Sequence, residues 1–79
     1  MNPRVKHVIA NVDFTLNIVF TNGEKGIYDV KPLLNLPVFQ CLNDINNFKR
    51  VKVGNGKTVC WSDELDICPD TIYLDSIKL

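Results

Sequence analysis

Few residues in this chain could make or break a bond. Cysteines stand at 41, 60 and 68, and the single histidine is His7. Covalent catalysis needs a nucleophile held beside a base. Cys60 falls in an apolar run between Val59 and Trp61, Cys68 precedes Pro69, and nothing in the pattern brings His7 to either. A zinc site would draw on Cys41, Cys60, Cys68 and His7, yet no two cysteines have C-x-x-C spacing. An odd cysteine count without a secretion signal argues against a disulfide framework and for a reducing cytoplasm. The cysteines are therefore expected to be small core hydrophobes. Asp63, Glu64, Asp66 and Asp70 could be arranged around Ca²⁺ or Mg²⁺, but the glycine and terminal glutamate of a calcium loop are missing. Two of these acids also suit helix starts without any ion. With no glycine-rich phosphate loop and no paired-carboxylate motif, the expectation is no catalytic residue, no metal ligand, no cofactor and no enzyme.

What remains is recognition. Nine basic residues balance nine acidic ones, so the whole chain gives no electrostatic argument for nucleic acid or an anionic membrane. The charge is unevenly spread. Residues 1–60 hold eight basic side chains against four acidic, and residues 61–79 hold five acidic against one basic. Either the acidic tail folds back on the basic strands or the surface is bipolar and steers a partner. Arg50, Lys52 and Lys57, with Lys49 nearby, could touch phosphate from one strand face beside the Gly54-Asn55-Gly56 turn. Nucleic-acid binding favours a net basic domain with interleaved aromatics, which this chain does not offer. Phe39, Trp61 and Tyr73 are the aromatics to watch at an interface, since such residues anchor binding hot spots; each would also serve as ordinary core.

Seventy-nine residues, 46% of them apolar, make a single domain over residues 1–79 and argue against disorder. The longest apolar runs are far shorter than the roughly 20 residues of a membrane span or the roughly 7–15 of a signal peptide.

Strand patterns dominate the first thirty residues. Val5, His7 and Ile9 alternate with Arg4, Lys6 and Val8. Phe14, Leu16, Ile18 and Phe20 then mark every second position. Asn11-Val12-Asp13 can link the two as a hairpin. At Thr21-Asn22-Gly23, a three-residue loop with a left-handed Gly23 sets Leu16 against Tyr28 and Phe14 against Val30. A two-residue turn would instead set Leu16 against Asp29 and press a carboxylate into the core. The first register is expected, with Thr15, Asn17 and Ile27 on the opposite face. Pro32 can open a short helix that Pro37 must end or interrupt, and Leu33, Leu36 and Phe39 of this segment should cover the sheet. Asn43 is expected to cap a helix reaching Phe48. Arg50–Val53 and Lys57–Trp61 form a second hairpin, Leu65–Ile67 reads as a short extended piece, and Pro69 starts a last helix with Ile72, Tyr73 and Ile77 inward. The class is α+β, an antiparallel sheet of about five strands (meander plus second hairpin) with short helices packed on one face.

Certain short stretches carry a resemblance. They are Asn-Pro-Arg-Val-Lys at 2–6, Asp-Phe at 13–14, Phe-Thr-Asn-Gly-Glu at 20–24, Tyr-Asp-Val at 28–30, Pro-Leu-Leu at 32–34 and Leu-Pro-Val-Phe at 36–39. Val-Cys-Trp at 59–61 and Leu-Asp-Ile-Cys-Pro-Asp-Thr-Ile-Tyr at 65–73 complete them. In that order and spacing they resemble a family of small bacterial proteins catalogued as domain of unknown function 2442. The resemblance implies a compact α+β domain, sometimes joined to a C-terminal helix-turn-helix, and a toxin–antitoxin-like pairing with a small neighbour. It supplies no catalytic residue. Ser62-Asp63-Glu64 departs from the turn expected after the tryptophan, and no appended DNA-binding module is expected within residues 1–79.

The leading expectation is a cytoplasmic, non-enzymatic protein–protein interaction module, partnered by another small protein or by itself. The motive is physical: a small sheet domain has strand edges and thinly covered faces that pairing protects. The alternative is a nucleic-acid-binding regulator using Arg50, Lys52 and Lys57.

Overall fold

The computed structural model describes residues 2–62 and 64–79. Its strands are β1 (Val5–Ala10), β2 (Thr15–Phe20), β3 (Lys25–Asp29), β4 (Lys52–Val53), β5 (Val59–Ser62), β6 (Leu65–Ile67) and β7 (Ile77–Lys78). Helices α1 (Ile45–Phe48) and α2 (Pro69–Asp75) join them, with two 3₁₀ helices at Lys31–Asn35 and Pro37–Asn43. The expected antiparallel α+β architecture is present, and its strands divide into two sheets: β1-β2-β3-β7 and β4-β5-β6. They meet where the Val5 amide donates to the Lys57 carbonyl at 3.1 Å.

The β2–β3 register is the one that spares the core a carboxylate. Leu16 opposes Tyr28, Thr15 opposes Asp29, and Gly23 holds a φ of +89° in the connecting loop. Leu16, Ile18, Phe20, Tyr28 and Val30 consequently share one buried face. The Val30 amide donates to the Phe14 carbonyl at 3.1 Å, continuing the expected pairing. Phe14 itself has a φ of +64°, a strained value for a bulky residue, at the end of the β1–β2 link. Its ring centroid lies 5.1 Å from that of Phe48, a contact that helps hold the strained turn.

β1 departs from simple alternation. A bulge between Val5 and His7 lets Val5 oppose Phe20 and His7 oppose Val19. One extra residue turns every later side chain over. Val5 is therefore buried and Val8 and Ala10 pack against the core, whereas His7 and Ile9 point outward. The expectation that Val5, His7 and Ile9 share a face fails for this reason.

The core is closed by the proline-bracketed segment and α1. Leu34 and Leu42 are the buried leucines there; Leu33 and Phe39 are half-buried and Leu36 is exposed. The cap of α1 lies one residue later than expected: Asp44, whose Oδ1 accepts from the Asn46 amide at 2.9 Å. Phe48 is fully buried, and its carbonyl accepts from Trp61 Nε1 at 2.9 Å, tying α1 to β5. Pro69 opens α2 as expected, and Ile72 is fully buried. Ile77 is not on the helix. The chain turns at Ser76 and adds β7 alongside β3, with Ile77 opposite Ile27 and pointing out of the core.

Candidate interaction surface

The α2 helix and the loops lie against the core face of the four-stranded sheet, and among the described residues its other face is open. Successive strand residues point to opposite sides, so the register assigns that face residue by residue. Ile9 opposes Asn17, Asn17 opposes Ile27, and Ile27 opposes Ile77, one row across all four strands. A second row runs His7, Val19, Lys25, then Leu79, whose amide donates to the Lys25 carbonyl at 3.0 Å. Thr15 and Asp29 begin a third, with Asn11 bonding Thr15 Oγ1 at 3.1 Å and Asn17 Oδ1 at 3.2 Å. Ile9, Ile77 and Leu79 are 63, 70 and 78% exposed, and Ile27 and Val19 are half-buried. Isolated exposed apolar residues are ordinary, but a contiguous set ringed by polar groups marks an interaction site.

The ends of this face differ in charge. His7 and Lys25 lie at one end, Asp13 and Asp29 at the other. Asp29 Oδ1 accepts from the Lys31 amide at 2.9 Å and meets Lys31 Nζ at 3.1 Å, chiefly the amide bond holding its carboxyl below the usual range. Asp13 is lowered first by the Thr15 hydroxyl, 2.6 Å from Oδ1. Lys31–Asp29 is the one ion pair within 4.0 Å among the described residues, so the acidic tail does not lock onto the basic strands there.

The three expected interface aromatics do not converge. Trp61 is 9% exposed, stacked near Phe48 (centroids 6.0 Å apart) and met edge-on by half-buried Phe39 at 6.4 Å. Both belong to the core's aromatic chain. Tyr73 sits apart on α2, its ring edge-on to Phe20 at 5.0 Å and its hydroxyl donating to Glu24 at 2.9 Å. That bond to a carboxylate raises the phenol's pKa. Lys78 Nζ lies 4.2 Å over the same ring.

The basic residues are dispersed as well. Only Lys52 and Val53 of the expected Arg50–Val53 strand pair with β5; Lys52 opposes Cys60. Arg50 stays in the turn after α1 and lines a recess of about 210 Å³ with Leu42, Trp61 and Leu65. Arg50 lies outside β4, so Arg50 and Lys52 do not share a strand face. Lys57 instead neighbours Arg4, whose Nη1 donates to the Gly56 carbonyl at 2.7 Å.

Of the cysteines, only Cys60 is buried, donating to the Ser62 carbonyl at 3.1 Å; Cys41 and Cys68 are exposed. Cys41 lies at the rim of the recess on the second 3₁₀ helix, and Cys68 immediately precedes α2. The core expectation fails for both because each falls at an irregular, solvent-facing junction. No three of the candidate metal-ligating side chains converge among the described residues; Asp63 lies outside them. Sequence reading missed Ile77, Leu79 and Ile9 as surface residues. The Thr15/Asn17/Ile27 alternation was the signal that an outer face existed.

Comparison with known proteins bears on this surface only through the fold. A crystal structure from Nitrosomonas europaea ATCC 19718, named "Putative DNA Binding Protein NE0471", superimposes with a TM-score of 0.77 at 22% identity. The superposition covers 94% of this chain and 48% of that one, so this chain spans about half the length of that protein. No curated protein is significantly similar in sequence. Residues 5–78 match the family described as Protein of unknown function (DUF2442), and with nearly the whole chain aligned the protein belongs to that family.

Proposed function

We propose that this domain is a non-enzymatic protein-binding module and that its docking surface is the open face of the four-stranded sheet. The observation that carries this reading is the row Ile9–Asn17–Ile27–Ile77, with Leu79 and Val19 beside it and His7, Lys25, Thr15 and Asp29 around it. An apolar centre inside a polar rim is the anatomy of a protein interface. Burying it removes water from side chains that none of the described elements covers, at about 25 cal/mol per Å². Capture of partners by the tagged chain in native cells tests the proposal. Ile27→Asp, which sets a charge in the middle of the patch without entering the core, must abolish protein capture. Unchanged capture would overturn the assignment.

A second reading comes from the name of the fold relative. If the domain binds nucleic acid, the contacts belong to Lys52, Lys57 and Arg4 rather than to the Arg50/Lys52/Lys57 face first expected. Its signature would be duplex DNA binding whose logarithm falls with log salt concentration and weakens uniformly on Lys57→Ala. A domain with equal numbers of basic and acidic residues supports this less well than protein binding.

A further inference from the structure

The open face has a property beyond being apolar: its pattern complements itself. On β3, Lys25, Ile27 and Asp29 point outward in that order, a cation and an anion equally spaced on either side of an isoleucine. On β1, His7 and Asn11 flank Ile9, and on β2, Val19 and Thr15 flank Asn17. On β3 the central row is thus the midline about which the charges invert. We propose that the partner seated on this face is a second copy of the chain, related by a twofold axis lying between the two sheets along the Ile9–Asn17–Ile27–Ile77 row. The inference rests on the protein-binding reading above and names its partner.

A rotation about that axis reverses strand direction and keeps each strand over its own mate. The central row meets itself, so Ile9, Ile27 and Ile77 face their copies. Lys25 comes over Asp29 of the second copy and Asp29 over its Lys25, two ion pairs from one symmetry operation. The groups suit the role. Among the described residues Lys25 has no acidic group within 4.0 Å. Both contacts of Asp29 with Lys31 use Oδ1. Sheets packed this way lie about 10 Å apart with strands roughly 30° off parallel or antiparallel, which apolar side chains at this density can fill. Four strands at about 4.8 Å spacing, five residues long, make a face of only roughly 19 by 17 Å. The dimer is consequently small, and association is expected to be concentration-dependent rather than obligate. A heterologous partner would have no reason to match a charge pattern that inverts about its own midline.

Sedimentation equilibrium on three proteins tests this: wild type, Lys25→Asp and Asp29→Lys. Each single change puts like charges opposite each other twice and is expected to weaken self-association on the order of tenfold. An equimolar mixture of the two variants restores both pairs as Asp over Lys and must form a heterodimer at about wild-type affinity. Asp29 also accepts the Lys31 amide, a bond that Asp29→Lys removes from the turn. Where that variant does not fold, adding Asp29→Asn to Lys25→Asp must tighten association relative to Lys25→Asp alone. A mixture no tighter than its components, or single variants that dimerise like wild type, overturns the proposal. If wild type stays monomeric to millimolar concentration while Ile27→Asp still abolishes capture of a different protein, the second-copy assignment falls and the docking face stands. If Ile27→Asp alters neither, both fall.

Discussion

Replacing Phe48 by leucine probes the joint on which both sheets rest. The side chain is fully buried, its ring centroid 5.1 Å from Phe14 and 6.0 Å from Trp61. Truncating a buried phenylalanine to alanine costs about 3–5 kcal/mol, and leucine restores roughly three-quarters of the lost volume. Each of the two aromatic contacts adds about 0.5–1 kcal/mol beyond area. The expected loss is about 2–3 kcal/mol, against a total of roughly 4–12 kcal/mol for a domain of this length. With a urea slope near 1 kcal/mol/M, the midpoint should fall by about 2 M. Trp61 is the only tryptophan and sits beside the altered ring, so its fluorescence follows the transition directly. The Trp61 Nε1 bond to the Phe48 carbonyl involves backbone and survives the change. A loss under about 1 kcal/mol at unchanged slope would refute the packing argument.

Three other outcomes follow from particular contacts. A thiol reagent should label Cys41 and Cys68 rapidly in the native state and Cys60 only on unfolding, which mass spectrometry resolves; fast labelling of Cys60 would contradict its burial. Gly54→Ala would place a methyl 2.9 Å from Cys60 Cβ, pushing β4 off β5 and lowering stability by about 1–3 kcal/mol in thermal melts, whereas an unchanged melt would refute that close approach. Asp29 has a folded-state pKa below its unfolded one, so its stabilisation is present above the unfolded value and lost as pH falls through the folded value. Asp29→Asn should therefore lessen the fall in melting temperature below about pH 4, and an identical acid limb would contradict the assignment.

Where one physical constraint dominated, structure was readable from residues. The β2–β3 register followed because the competing register buried Asp29, and Gly23 followed from the loop that register needs. Pro32 marked the start of a short helix, and Pro37 interrupts it as expected but also opens a second one, Pro37–Asn43. Where two solutions cost nearly the same, the pattern was silent. A bulge at Lys6 is invisible in a sequence whose Val5, Val8 and Ala10 fit the core as well as Val5, His7 and Ile9. Ile77 read as a helical residue because Pro69 to Ile77 keeps helical spacing; the backbone leaves α2 at Ser76 and joins β3 instead. Trp61 and Phe39, which the sequence offers either to an interface or to the core, carry large apolar area that a core this small uses. On the surface that remained apolar, Ile27 faces outward as the register requires, whereas Ile77 read as an inward helical residue.

Site-specific photo-crosslinking in native cells discriminates the open face from the second sheet as the docking surface. A photo-reactive phenylalanine analogue replaces Ile27 or Ile9 on the open face, or Lys52 on the exposed strand of the second sheet. Docking on the open face predicts protein adducts from positions 27 and 9 and none from position 52. Nucleic-acid or protein adducts from position 52, with none from 27 and 9, would contradict it.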